Sequence, residues 1–473
     1  MIWVFLVHLL LLLPFSSQGA NPGLVGRITQ KGIDYAHQLG IEVLKSQIPK
    51  IQIPDMSGRY DIGGIGDVKY EVSRMHILEF QLPQSAVTFF PGTGIKLSIS
   101  NAYIKINGDW RVKVLFISDS GSFDISVSGL SISAVIWVKK DDTGRPAVGS
   151  AGCSSSIGDL SIKFHGGTSW LYNLFTGALE GPIRNSLNEK LCPEVNNAIN
   201  GLEPHLQTIP ITAQIDKIAE IEYSLVNPPE ITDKYTDLDF KGEFYNIGQH
   251  TEPPFSPLPI VLSDQTDSML YVGISEFFAN SAGFVYTRAG ALQINITDDM
   301  IPEESPFRLN THSFGVLVPE IEKLYPNMSM VMHLSASKQP VLTSQPDNLT
   351  VVVTGEIKML VILPNASLAP LFILGLDASV SAKLLVTGVS IRGELSLNKF
   401  SLSLDHSDVG PFDVSKLQTL VNLALKLVVL PQINEKLAKG FPLPTIDKIK
   451  FVSPSIKINQ GFILIATDIQ YTP

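Results

Sequence analysis

The chain has 473 residues, of which only 17% are charged, and its formal net charge at pH 7 is −10. The length excludes a single compact core and predicts two domains. The charged fraction lies well below the typical value of about 25%, so the chain either hides much surface in a long core or binds something apolar. We expect no nucleic-acid partner for a chain of this charge.

Residues 1–20 predict a cleaved secretory signal peptide, because an apolar run from Ile2 to Phe15 is followed by small residues up to Ala20. The run is too short to span a bilayer. We expect no later transmembrane helix, since the nearest candidate, residues 420–430, is interrupted by polar residues. The mature protein is therefore expected to be secreted.

The first half of the mature chain begins with a helical period from Asn21 to Ile48. Between Gln52 and Phe164 apolar and polar residues alternate, which is typical of antiparallel strands with one buried face. Turn residues separate these strands at Gly63-Gly64, Pro91-Gly92, Asn107-Gly108-Asp109 and Asp141-Asp142-Thr143-Gly144.

A much longer helix is predicted from Ser169 to Leu206. Its apolar residues recur at every fourth position and share one face: Leu171, Phe175, Leu179, Ile183, Leu187, Leu191, Val195 and Ile199. Pro182 is expected to kink or restart it. A helix of about 35 residues is about 50 Å long, so it needs a long partner surface, which the strands supply.

The second half repeats this order after a linker, residues 225–260, that contains six prolines. Strands are predicted to resume near Met269, followed by a helix over Leu309–Leu324, further strands over Val331–Leu404 and a long helix over Asp413–Lys439. An Ile-Asp-Lys-Ile tetrad follows each long helix, at Ile215 and again at Ile446. We interpret these matches as an internal duplication.

The predicted organisation is therefore a signal peptide at 1–20, an N-terminal barrel at 21–220, a Pro-rich linker with part of a shared sheet at 221–262, and a C-terminal barrel at 263–473. The fold class is α+β, with each curved antiparallel sheet wrapped around a long helix.

Two cysteines in a secreted chain, Cys153 and Cys192, predict one disulfide. It would tie the long helix to the strands before it. Four N-glycosylation sequons, all in the second half, are expected on exposed loops: Asn295, Asn327, Asn348 and Asn365.

Many distinctive segments in order resemble one known family along the whole mature chain. These are Asn21-Pro-Gly, Gln30-Lys-Gly-Ile-Asp-Tyr-Ala, Ile53-Pro-Asp, Glu79-Phe-Gln-Leu-Pro, Leu97-Ser-Ile-Ser-Asn-Ala, Cys153-Ser-Ser, Lys241-Gly-Glu-Phe-Tyr, Asp298-Asp-Met-Ile-Pro, Val361-Ile-Leu-Pro-Asn and Leu430-Pro-Gln-Ile-Asn-Glu-Lys-Leu-Ala-Lys-Gly-Phe-Pro-Leu-Pro. The family is that of bactericidal/permeability-increasing protein, lipopolysaccharide-binding protein and the plasma lipid-transfer proteins. The chain is most similar to its bactericidal and lipopolysaccharide-binding branch.

This resemblance implies a boomerang of two barrels joined by a central sheet, with a phospholipid held in an apolar pocket of each barrel. It implies a monomer of innate immunity, secreted directly or by way of granules, that recognises lipopolysaccharide of the Gram-negative outer membrane near its N-terminal tip. It also implies the disulfide already expected from the cysteine count. Bound phospholipid would be a ligand, and no cofactor is expected.

Charge is distributed in keeping with such a site. Residues 21–200 hold 17 Lys plus Arg against 16 Asp plus Glu, a net of +1, whereas residues 201–473 hold 18 against 29, a net of −11. The lipopolysaccharide site is predicted at a hairpin turn around Asn107-Gly108 with Lys105, Trp110, Arg111 and Lys113, helped by Lys45, Lys50, Arg59 and Lys69. Asp61, Asp67 and Asp109 depart from the strongly basic tips of bactericidal members. An ordinary solvated hairpin is the alternative interpretation.

Two other functional classes were weighed. An enzyme is not expected, because the nine histidines have no metal-ligand spacing and neither HExxH nor GxSxG occurs, so no catalytic or metal-binding residue is predicted. Two carboxylate pairs, Asp141-Asp142 and Asp298-Asp299, lie near turn residues. We expect them in solvated loops and not in an acid/base site. A general extracellular phospholipid carrier without antibacterial role shares the fold and remains the alternative function.

Overall fold

The computed structural model describes residues 20–50, 53–62, 66–167, 169–303, 305, 307–445 and 448–472. The predicted signal peptide, apart from Ala20, lies outside the described residues. The strands are β1 Leu24–Thr29, β2 Met56–Ile62, β3 Gly66–Gln81, β4 Gln84–Phe90, β5 Gly94–Val114, β6 Ile117–Lys140, β7 Pro146–Ser156, β8 Asp159–His165, β9 Thr212–Gln214, β10 Ala219–Glu222, β11 Glu230–Ile231, β12 Tyr235–Phe240, β13 Glu243–Asn246, β14 Leu270–Ser275, β15 Gln293–Ile296, β16 Met330–Ala336, β17 Val341–Gln345, β18 Asn348–Ile362, β19 Leu368–Thr387, β20 Ser390–Ser407, β21 Phe441–Pro442, β22 Ile449–Ile458 and β23 Phe462–Tyr471.

The α-helices are α1 Gln30–Gln47, α2 Ser169–Asn200, α3 Glu203–Leu206, α4 Glu276–Arg288, α5 Thr311–Gly315, α6 Pro319–Leu324, α7 Gln418–Ala424 and α8 Leu430–Lys439. A 3₁₀ turn, Val414–Leu417, precedes α7, and a π-helical turn, Leu425–Val429, joins α7 to α8. Further 3₁₀ turns cover Ile48–Lys50 and Asp298–Met300.

The N-terminal barrel is a seven-stranded sheet in the order β2-β3-β5-β6-β7, with β4 paired to β5 and β8 to β6. Along β5 the buried residues Ile104, Ile106, Val112 and Val114 alternate with more exposed ones, so one face of the sheet builds the core. Helix α2 contributes Leu179 and Ile183 to the same core. The C-terminal barrel repeats the plan with β15-β16-β18-β19-β20-β21 and with β17 on β18, around a core that includes Leu420.

A central six-stranded sheet, β11-β12-β1-β14-β23-β22, joins the two barrels. Strands β1 and β14 lie side by side and antiparallel at its centre, and each is followed directly by a helix, α1 or α4. Each half therefore begins with a central strand that is followed directly by a helix, as expected for an internal duplication. The second tetrad of that prediction lies partly outside the described residues.

Two predicted helices were misplaced. Residues 24–29 form a strand, so the first helix begins at Gln30 and not near Asn21. The counterpart of α1 is α4, where strands were expected, and residues 309–324 hold only the short α5 and α6. Helix α4 has four aromatic residues, one Ser and one Gly among its 13 residues, and these types have lower helix propensity than Ala or Leu. It forms because Phe278 and Val285 are buried and Ser281 donates to and accepts from the chain around it.

The long helices tolerate their prolines. Helix α2 continues as one element through Pro182 and Pro193, so it does not restart at Pro182. In the second half Pro431 follows directly on the π turn, a local irregularity of the kind at which helices accommodate a proline. By length and composition the helix Val414–Lys439 is long and apolar enough to cross a membrane, contrary to our expectation, although part of it is buried inside the protein.

The prediction of a turn at Asn107-Gly108 was wrong, because both residues lie inside β5. A side chain at Gly108 would meet Phe123 and Met75 at less than van der Waals distance, so this glycine serves close packing. Asn107 donates across the sheet to the carbonyl of Phe123 and to Asp124, which an extended strand allows. The β5–β6 turn is at Leu115 and Phe116.

Candidate functional site

Four of the predicted cationic side chains come together at one end of the N-terminal barrel. Antiparallel pairing sets Arg59 of β2 opposite Lys69 of β3, and Lys69 opposite Lys113 of β5. On β6 the next residue in this row is Ser118. Neighbouring strands lie about 4.8 Å apart, so three like charges stand in a row across three strands.

A second row, one step further from the turns, contains Ser57, Glu71, Arg111 and Ser120. Arg111 and Lys113 alternate along β5 with buried residues and are exposed, as are Arg59 and Lys69. Among the described residues no ion-pair partner lies within 4.0 Å of any of these four cations. The two rows therefore form an exposed patch of four cations and one carboxylate, Glu71, with a net positive charge.

The rows border a shallow groove of about 340 Å³, lined by Ser57, Gly58, Arg59, Lys69, Tyr70, Glu71, Arg111 and Lys113. Gly58 is needed there, because a Cβ atom at this position would collide with the ring of Tyr70. The aromatic ring can thus lie across β2, so the groove has an apolar wall beside its cations.

Exposed apolar residues lie beyond the cations, at the β5–β6 turn. Phe116 is fully exposed at 100%, Leu115 at 65% and Ile117 at 49%. The side chain of Leu115 lies near the start of β3, 3.8 Å from where a side chain of Gly66 would begin. We call the cation rows together with residues 115–117 the N-terminal tip. Sequence analysis missed the apolar turn because it placed the hairpin at Asn107-Gly108.

The remaining predicted lipopolysaccharide-binding residues do not join the N-terminal tip. Trp110 is 2% exposed, donates to the carbonyl of Ser122 and packs edge-on against Phe164, so the expectation that it touches lipid was wrong. Lys105 is six residues from Arg111 along β5, roughly 20 Å away, and lies 3.7 Å from Asp124. Lys45 pairs with Glu42 on α1. The side chain of Lys50 lies outside the described residues.

Except for Glu71, which stands opposite Arg111 in the second row, the acidic residues of this region lie outside the two cation rows. Asp109 is paired with Arg74. Asp61 and Asp67 face each other across the β2–β3 hairpin, two positions beyond the row of Arg59 and Lys69. Farther along the sheet, a hydrogen bond from Asn107 lowers the pKa of Asp124, and His165 and Lys105 lower it further. Asp124 therefore compensates Lys105.

The predicted disulfide is confirmed. Cys153 of β7 and Cys192 of α2 are bonded, with their Cα atoms 5.6 Å apart. The bond closes a loop across 39 residues and holds the long helix against the edge of the N-terminal barrel.

All four sequon asparagines are exposed: Asn327, Asn348 and Asn365 lie in or beside turns and Asn295 lies on β15. Their glycosylation remains a prediction.

The apolar faces of both long helices are only partly buried. In α2, Leu187, Leu191 and Val195 contact the N-terminal core but are not fully buried. Helix α8 has no buried residue along its described length, although it lies on β20 and carries the apolar residues Ile433 and Leu437. Apolar helix faces that are only half-buried offer contact surface to a further apolar partner.

A small cavity in the C-terminal barrel lies where α7 meets the π turn. It holds only about 10 Å³, close to the space of one water molecule, and is lined by Ile301, Pro302, Ser305, Phe307, Arg308, Leu309, Phe314, Leu420, Leu423, Ala424, Leu427 and Val428. Arg308, which lines this cavity, forms a salt bridge with Asp298. An acyl chain would enter here only if the helix moved.

Comparison with known proteins covers nearly the whole chain. A model described as "LBP / BPI / CETP family, N-terminal domain" matches residues 32–205, and one described as the C-terminal domain of the same family matches residues 213–471. The chain is 47% identical to bactericidal permeability-increasing protein of Sebastes schlegelii, with 96% of each chain covered. It is 37% identical to human lipopolysaccharide-binding protein, covering 98% of this chain and 97% of the relative. A crystal structure of lipopolysaccharide binding protein superposes with a TM-score of 0.70 at 34% identity, covering 96% of this chain and all of the other.

Proposed function

The chain belongs to the LBP / BPI / CETP family, and on that premise we propose that it is a secreted, non-enzymatic protein of innate immunity that binds lipid A of lipopolysaccharide at its N-terminal tip. The predicted family and the α+β fold of two barrels are both confirmed by the matches. The location of the binding site and the bound phospholipids are further parts of the proposal.

The observation that carries this proposal is the row of Arg59, Lys69 and Lys113. Like charges directly opposite one another across a sheet are destabilising. Nothing among the described side chains within ion-pair distance neutralises them, so the protein keeps an unfavourable arrangement that an anion would relieve. Phosphate groups satisfy Arg and Lys with short, charge-assisted hydrogen bonds, and Ser118 and Ser120 add hydroxyl donors beside them.

The exposed turn at 115–117 distinguishes an amphiphilic ligand from a free phosphate. Burying a side chain such as Phe116 in an apolar environment is worth roughly 1.5–3 kcal/mol. A ligand with phosphates and acyl chains engages the cation rows and Phe116 at once, whereas a free phosphate leaves Phe116 in water. Lipid A has both parts.

The second part of the proposal is that each barrel holds a phospholipid. It is supported by the half-buried apolar residues of α2 and α8 described above. Acyl chains placed there would gain about 0.8 kcal/mol per buried methylene. These features occur in both barrels, whereas the cationic tip occurs in one, so a general phospholipid carrier would need the helix faces but not the tip.

The two functions are separated by charge reversal at the N-terminal tip. Arg59→Glu, Lys69→Glu and Lys113→Glu together should weaken binding to lipopolysaccharide roughly a hundredfold, since each exposed contact is worth about 1 kcal/mol near an anionic surface. Binding to neutral phosphatidylcholine vesicles should remain unchanged. The measurement is surface plasmon resonance on both surfaces, at two salt concentrations, because exposed charges are screened.

The matched control reverses three exposed lysines of the second half, Lys338, Lys399 and Lys457. It makes the same change in net charge away from the tip and should leave lipopolysaccharide affinity within about threefold of the parent protein. Equal losses in both triple variants would reject the tip as the site. Unchanged lipopolysaccharide binding in the tip variant, with phospholipid still bound, would favour the general carrier.

A further inference from the structure

A cluster of ionisable side chains outside the tip lies where the two halves meet. Strand β13 pairs with β10, so that Glu243 stands opposite Glu222. The chain then folds back: the amide of Ile247 donates to the carbonyl of Ile218 at 2.9 Å, and the ring of His250 stacks on Tyr245 with centroids 4.4 Å apart. This backbone path brings His250 and Glu252 over the end of Glu243.

Three possible ligand atoms converge there. Nε2 of His250 is 3.8 Å from Oε1 of Glu243 and 3.4 Å from Oε1 of Glu252, and all three atoms lie within 4.8 Å of one another. Ligand atoms at about 2.0 Å from a tetrahedral zinc ion are about 3.3 Å apart. The observed spacing therefore needs only a small contraction around a metal ion.

The Glu243 carboxylate is the least satisfied group of the cluster. Its side chain is 1% exposed, and its Oε1 has no hydrogen-bond partner among the described residues. The other oxygen, Oε2, is 3.3 Å from the Lys241 ammonium. A buried carboxylate oxygen without a partner is costly. Oε1 faces His250, so the missing partner belongs between these two side chains.

Charge and donor type decide which partner fits. Three carboxyl groups, those of Glu222, Glu243 and Glu252, surround the single ammonium group of Lys241, which contacts all three. Acidic side chains thus outnumber the basic one in this cluster, which favours a divalent cation as the missing partner. One imidazole with two carboxylates suits zinc-type ions, whereas calcium and magnesium prefer oxygen ligands alone.

We propose that Glu243, His250 and Glu252 bind one divalent transition-metal ion of the zinc type, with water in the fourth position. The ion would fasten residues 247–252 onto β13, directly before Pro253 and Pro254 of the linker. Strand β13 also contacts the second half, because the Phe244 amide donates to Ser281 of α4 at 3.0 Å. The metal would thus stiffen the connection between the two barrels.

The test uses full-length protein that has been freed of metal with a chelator and then dialysed against ZnCl₂, CaCl₂ or MgCl₂. Elemental mass spectrometry with an inductively coupled plasma should find about one zinc ion per chain. Zinc should raise the melting temperature, whereas calcium and magnesium should have no comparable effect. His250→Ala changes a partly exposed residue and should lower zinc affinity at least tenfold. Glu243→Gln, of the same shape, should do the same while keeping the fold.

The matched control is His312→Ala, because His312 also pairs with a carboxylate, Glu322, but lies outside the cluster. It should retain the zinc ion and the zinc-dependent rise in melting temperature. The proposal is overturned if the parent protein retains no stoichiometric zinc, in which case a proton on Glu243 is the better partner for its oxygen. It is equally overturned if His250→Ala binds zinc as tightly as the parent and His312→Ala.

Discussion

The two barrels share one plan but end in different surfaces. In each, a long antiparallel pair of strands runs outward from the central sheet, β5 with β6 and β19 with β20, and the long helix begins at the outer end. The N-terminal tip carries unneutralised cations and the exposed Phe116. We call the outer end of the second barrel, residues 363–367 and 405–413, the C-terminal tip. It carries Asp405, Asp408 and Asp413 and the sequon Asn365.

This difference fits an internal duplication in which packing constrains the core but not the ends. Core positions are constrained by packing on both the helix and the sheet, whereas turns beyond the last strand pair touch only solvent. An acidic end is repelled from an anionic bacterial surface, while a cationic and apolar end is attracted to it. The contrast predicts which end of the molecule approaches the membrane.

The two barrels also differ in how the long helix is held. In the first, the disulfide joins α2 to β7. In the second, two hydrogen bonds join α8 to β20: the side chain of Asn434 accepts one from the backbone amide of Leu395 and donates one to its carbonyl. One connection is covalent and constrains the unfolded chain, whereas the other exists only in the folded state.

The largest expected effect is the loss of that covalent bond. Cys153→Ser with Cys192→Ser should lower the free energy of unfolding of the N-terminal barrel by about 4 kcal/mol, because a loop of this length loses its entropic constraint. Calorimetry should show the melting transition of the N-terminal barrel moving to a lower temperature. Asn434→Ala, the comparison variant, should cost the other barrel about 1–2 kcal/mol. A disulfide variant that melts like the parent would remove this distinction between the barrels.

A smaller effect is expected from the apolar turn of the N-terminal tip. Phe116→Ser should weaken binding to lipopolysaccharide-containing vesicles roughly tenfold or more, because the transfer of one phenyl group is lost. The change should leave the melting temperature unchanged, since Phe116 is fully exposed. Val316→Ser, at a residue of the second barrel that is 74% exposed, is the control and should bind like the parent. If both variants bind normally, the apolar turn does not enter the lipid.

The smallest effect concerns the neutralisation of Asp109. Arg74→Ala would leave this carboxylate without its partner, two residues from Arg111 on the same face of β5. Its field should then weaken lipopolysaccharide binding about two- to threefold at low salt and less at high salt, as for other exposed charges. The double variant Arg74→Ala with Asp109→Asn should restore the affinity. An Arg74→Ala variant whose weakening persists at high salt would point to a direct contact of Arg74 with the ligand.

The sequence-based predictions were wrong where the same residue type, or the same weak local propensity, is compatible with two different structures. Gly108 looked like a turn residue, yet it is a strand residue that admits Phe123 against Met75. Trp110 looked like a lipid contact, yet its position in the two-residue period of β5 turns it into the core. Helix α4 looked like a strand because its local propensity is weak and its packing decides its structure.

The sequence by itself determined what can be read along the chain. These properties are the period of the long helices, the repeated order of the two halves, the pairing of two cysteines and the family. Only the tertiary structure decided which side chains meet. Arg59, Lys69 and Lys113 form one row because antiparallel register places them opposite one another, and no spacing along the chain encodes that register. His250 reaches Glu243 for the same kind of reason, since the chain folds back over β13 after the strand has ended.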